Sequence, residues 1–112
     1  MNFEQYRHSR EAAAKAVSAV LAVLEKEPAR IDVRHWHGRF AAMARFLADP
    51  DVDDKSAVDE TLEFVSELYA AGRNITDFYL VRQDFDEQRA VNIDFENKLD
   101  AIKHAVGAGG VR

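Results

Sequence analysis

Apolar residues recur along this chain at the spacing of amphipathic helices. Over residues 31–48, Val33, Trp36, Phe40, Met43 and Leu47 follow one another at intervals of three and four. That is one continuous apolar stripe, and it carries the only Trp of the chain. The pattern predicts a helix here and makes it the element around which the others are organised. Residues 2–26 form a second such stretch, with Phe3, Tyr6, Ala13, Val17, Val20, Leu21 and Leu24 on one face and Ala12, Ala16, Ala19 and Val23 behind them. Pro28 ends it or opens the next helix. After a loop at residues 49–54, Val58, Leu62, Val65, Leu68 and Tyr69 predict a third helix. Asp53, Asp54 or Ser56 is its cap and Gly72 its C′ residue.

The last third admits two readings. From Arg73 to Val106 there is neither Pro nor Gly, and Asn74 or Thr76 suits a helix start. Ile75, Phe78, Val81 and Phe85 share a helical face, but Phe95, Leu99, Ile102 and Val106 lie on another, so the phase changes near residues 88–93. A break, a kink or two packing partners accounts for the change. The alternative is a β-hairpin, because residues 91–96 alternate strictly and residues 78–81 are rich in strand formers. The interval between them has no Gly or Asn-Gly turn signal, which favours helix. The expected fold is therefore all-α, an antiparallel four-helix bundle whose fourth helix is long or broken. Three helices plus a hairpin and a final helix is the alternative. Residues 1–106 are expected to form the helical domain and residues 107–112 a flexible tail.

Charge changes the picture in one place. The 112 residues carry a net −5, distributed as zero over residues 1–29, +3 over 30–48, −7 over 49–72 and −1 over 73–112. A basic helix followed by an acidic one fits elements packed side by side. The overall sign argues against nucleic acid as a partner. No apolar run is long enough to span a bilayer, which argues against a membrane. The absence of Cys and of a signal peptide's apolar core at the start sets the expectation of a cytoplasmic protein.

Candidate chemistry is thin. His35 and His37 are two residues apart and leave a helix on nearly opposite sides, so they cannot share a metal. Residues 49–60 place acids at positions one, three, five and twelve, Asp49, Asp51, Asp53 and Glu60, and the stretch resembles a calcium loop of the EF-hand family. That resemblance implies calcium ligation by these four. The pattern departs at position six, where Asp54 stands in place of the turn-forming Gly, and the expectation is no metal. A four-helix bundle with His35 on an exposed face and Gly38 nearby resembles a histidine phosphotransfer domain, although Gly38-Arg39 reverses the family's Lys-Gly order. No phosphate loop or nucleophile motif occurs. The expectation is a non-catalytic interaction or regulatory module without a cofactor. On the side of the second helix opposite its stripe, Gly38, Ala42 and Phe46, with His35 between, offer small and apolar surface, and Phe64 lies off the stripe of the third helix. These five are the candidate interaction surface for another protein or for a second copy, with a homodimer expected.

Overall fold

The computed structural model describes residues 2–70 and 74–107. It contains four α-helices: α1 (Phe3–Glu25), α2 (Ile31–Ala48), α3 (Asp54–Leu68) and α4 (Phe85–Ala105), with a 3-10 turn at Ile75–Asp77. Helix accounts for 78% of the described residues, and no strand occurs among them, which removes the hairpin alternative. The chain is an all-α bundle, 47 Å long and 27 by 25 Å across.

Three of the four helices start where the sequence supplies an acceptor; α2, which follows Arg30, has no side-chain cap. Asn2 Oδ1 accepts from the Gln5 N–H at 2.9 Å while Gln5 Oε1 accepts from the Asn2 N–H at 2.8 Å, a reciprocal capping box. Asp53 accepts from the Ser56 N–H to cap α3, and Asp84 accepts from the Glu87 N–H to cap α4. Asp86 and Glu87 in the first turn of α4, with Lys103 and His104 in the last, suit its macrodipole. Gly107, at φ +78°, follows the last turn in the left-handed conformation that glycine adopts without a Cβ clash. Gly72, expected to end α3, lies outside the described residues, as do residues 108–112 of the expected tail.

The organising helix is α1 rather than α2. It packs against each of the other three, most extensively against α4 and α2, whereas α2 and α3 touch only lightly. Ala13 and Ala16 on its buried face let neighbours approach closely, and Val17, Val20 and Leu24 complete the ridge. The stripe on α2 is buried as expected: Val33, Trp36, Phe40, Met43 and Leu47 are all in the core. On α3 the buried face is rotated from the expected one. Leu62 is 40% exposed, whereas Thr61 and Phe64 are buried. Thr61 tolerates this because its hydroxyl donates to the Ala57 carbonyl at 2.7 Å, one turn back. Phe3, expected on the buried face of α1, is 85% exposed at the end of the helix.

The fourth segment is broken, and the break lies earlier than the phase change suggested. Residues 78–84 are non-helical, and α4 then runs straight through residues 88–93. Phe78 and Leu80 point into the core while Tyr79 and Val81 face out, the alternation of an extended chain. The pairing partner is a side chain. Asn92 Oδ1 accepts from the Leu80 N–H at 2.7 Å, and Asn92 Nδ2 donates to the Leu80 carbonyl at 2.8 Å, so one amide satisfies both backbone groups as a neighbouring strand would. Arg82 fixes the far end of the segment. It donates twice to the Glu27 carboxylate, both at 2.8 Å, while its backbone N–H donates to Gln88 Oε1.

Candidate interaction groove between helices α2 and α3

The light contact between α2 and α3 leaves an open groove of about 460 Å³ between them. His35, Gly38, Ala42 and Phe46 line it from α2, and Glu60 and Phe64 from α3. The five residues singled out for an interaction surface are thus brought together, but not in the way the sequence implied. Phe64 is not a surplus apolar residue on the surface. It is 8% exposed and sets its ring edge-on to Phe40 at 5.2 Å, so it forms the floor of the groove. Phe46 is half-buried and packs against the core from the rim. His35 is half-buried too, its ring edge-on to Trp36 at 4.7 Å, and so is less open than the exposed face expected for it. His37 faces Glu25 across a 3.2 Å contact and takes no part.

Gly38, read from the sequence as part of an interaction surface, is uncovered in the protomer. Nothing lies within 4 Å of where its Cβ would stand. At 100° per residue it sits opposite the core stripe, on the outward crest of α2, with Arg34 and Arg45 one turn and two turns away along nearly the same line. All three are exposed. The groove therefore has a bare stretch of helix backbone on one side.

The two helices that flank it differ in sign. On α2 stand Arg34, Arg39 and Arg45; on α3 stand Glu60, Glu63 and Glu67, spaced three and four apart, and of these Arg39, Glu60 and Glu67 line the groove itself while Arg34, Arg45 and Glu63 are exposed beside it. Arg39 closes one end by donating to Glu67 at 3.3 Å, and its guanidinium lies over the rings of Trp36 and Phe64 at 5.8 and 5.6 Å. Arg34, Arg45, Glu60 and Glu63 make no ion pair among the described residues. The groove is flanked by two opposed rows of charge, bridged at one point.

The acidic loop is built for another purpose than calcium. Asp49, Asp51, Asp53 and Glu60 do not converge, and no cluster of three or more metal-ligating side chains occurs among the described residues. The cause is that α3 begins at Asp54, so the second half of the proposed ligand loop is wound into helix. Asp53 is committed to capping, and Asp49 Oδ1 accepts from the Asp51 N–H. Glu60 is carried round to the groove. The centre of the loop is occupied by Arg10 of α1. Its guanidinium donates to the carbonyls of Leu47 at 3.0 Å, Asp49 at 2.7 Å and Val52, and to Asp54 Oδ1 at 3.2 Å. A cation is already built into this loop, and it satisfies carbonyls left open at the end of α2.

A second buried charge is also structural. Glu27 has only 6% of its side chain exposed, and hydrogen bonds from Arg82 hold its carboxyl below the ordinary range against the opposing effect of burial. No family model matches the chain, and neither a curated protein nor a solved structure matches it.

Proposed function

We propose that this chain is a small, non-catalytic interaction module that docks a helical protein surface in the groove between α2 and α3, and that it does so in the cytoplasm, without a cofactor. The observation that carries the reading is the conjunction at Gly38. A glycine in mid-helix weakens that helix by about 0.5–1 kcal/mol relative to alanine, and here no neighbouring element lies within 4 Å of its Cβ position to offset the weakness. A partner's backbone approaching Gly38 and Ala42 supplies an offset. The surrounding chemistry suits a protein partner: an aromatic floor at Phe64, an aromatic rim at Phe46 and walls of opposite charge. The largely buried charged groups Arg10, Glu27 and Arg82 are engaged in joining elements, which supports a structural rather than a reactive use of polar groups. No helix is long and apolar enough to cross a membrane among the described residues.

Site-specific photo-crosslinking in the native cell tests this. A photoreactive phenylalanine analogue replaces Ala42, in the groove, or Arg89, exposed on α4 and remote from it. The expected result is a discrete protein adduct from position 42 and none from position 89. Equal yields from both, or no adduct from position 42, overturn the groove as the docking surface.

A further inference from the structure

Resting on the reading of the groove as a docking surface, we infer that its occupant is a second copy of this chain, related by a two-fold axis running along the groove, with Arg45 of each protomer paired to Glu60 and Glu63 of the other. The argument is one of charge and register. An axis along the groove exchanges its two walls, so the basic crest of α2 in one protomer faces the acidic crest of α3 in the other, and the same contact is made twice. An in-plane axis across the groove sets like charges against each other and is disfavoured.

The Arg39–Glu67 pair fixes how far along the groove each charge lies. From there Arg45 is six residues further along α2 and Glu60 seven residues back along α3. At about 1.5 Å per residue these are offsets of about 9 and 10.5 Å in the same direction along antiparallel helices. Arg45 and Glu60 therefore stand level on opposite sides of the groove without meeting in the protomer. The two-fold axis brings each over its counterpart in the second copy, with Glu63 one turn away. Gly38 and Ala42 expose bare backbone near the axis, so α2 of one protomer can approach α3 of the other closely. The floor of the groove, Phe64, then loses its remaining contact with water.

The test is charge reversal and its mutual rescue, read by light scattering and sedimentation with circular dichroism to confirm folding. The wild type is expected at twice 12.7 kDa at about 100 μM, with association weakening as salt rises. Arg45→Glu alone, and Glu60→Arg with Glu63→Arg alone, are each expected to weaken self-association at least about tenfold while keeping the helical spectrum. Mixed together, the two variants restore a dimer, because the now acidic α2 of one meets the now basic α3 of the other at one contact, and the unchanged Arg45 meets the unchanged Glu60 and Glu63 at the second. A monomeric wild type overturns the inference. So does a dimer indifferent to both reversals, or a mixture of folded variants that fails to associate. A monomeric wild type that still gives an adduct to a different protein from position 42 overturns the second copy and leaves the groove reading standing. Loss of both self-association and any adduct from position 42 overturns the two together.

Discussion

Replacing Arg10 with Met is expected to destabilise the bundle by about 3–4 kcal/mol. Arg10 leaves α1, the helix that touches the other three, and its side chain is 14% exposed. Met keeps most of the aliphatic stem and its packing but removes the guanidinium. Three carbonyls, those of Leu47, Asp49 and Val52, then lose a charged donor, and Asp54 loses its partner. Hydrogen bonds to a charged group are worth about 1.5–3 kcal/mol each. The loop at residues 49–53 borders solvent, so water recovers part of that, and two such bonds near the lower end of the range are a fair measure of the net loss. Arg10→Lys separates charge from geometry. A single ammonium keeps the charge but cannot serve a fork of three carbonyls at once, and about 1–2 kcal/mol of the loss should remain. Urea denaturation followed by circular dichroism gives the magnitudes, and amide hydrogen exchange at residues 49–53 shows whether the loop loosens first. A loss below about 1 kcal/mol for Arg10→Met, or a Lys variant as stable as the wild type, would refute the role given to Arg10.

Three further outcomes are expected. Trp36→Ala should cost about 3–5 kcal/mol, because a buried aromatic leaves a cavity, and Phe46→Ala under about 1 kcal/mol in the monomer; the reverse order in chemical denaturation would contradict the core described here. Gly38→Ala should raise monomer stability by about 0.5–1 kcal/mol, since the new methyl meets nothing within 4 Å, and a destabilised variant at low concentration would show the site to be covered. Because the carboxyl of Glu27 is lower in the fold than its ordinary value of 4.5, its contribution is fully present above that value and is lost as pH falls through the folded one. Urea midpoints between pH 7 and pH 3 should therefore fall less steeply for Glu27→Gln than for the wild type, and parallel curves would count against the Arg82 pair as the cause.

Where burial follows from spacing on a single helix, the sequence was readable. The stripe on α2 is such a case: Val33, Trp36, Phe40, Met43 and Leu47 need only face the same way to be buried together. What escaped depends on groups that periodicity does not register. Backbone carbonyls carry no residue type, so nothing marked Arg10 as the centre of a loop 37 to 42 residues away. Asn92 reads as a polar interruption in a helix, yet its amide stands in for a strand and draws residues 78–82 into an extended line, which moved the break forward from the phase change. The rotation of α3 has the same origin, since Thr61 is polar by composition and apolar by behaviour once its hydroxyl is satisfied within the helix. The groove residues were legible as a set because His35, Gly38, Ala42 and Phe46 lie on one line of α2. The sequence could not show whether the surface beside Gly38 was filled, because that depends on how closely α2 approaches α3.

The placement of α1 at the centre has a consequence for how the molecule is made. The helix that packs against the other three is synthesised before all of them, and its largest partner, α4, is synthesised last. At about 5–20 residues per second, the ridge of Val17, Val20 and Leu24 waits on the order of 4–16 s between its own emergence and the arrival of the helix that completes its cover. During that interval α2 and α3 can already pack against α1, while the part of its apolar face that belongs to α4 stays open. A ribosome stalled between α3 and α4 would release a fragment with that face uncovered, so the last helix acts as the seal on the first.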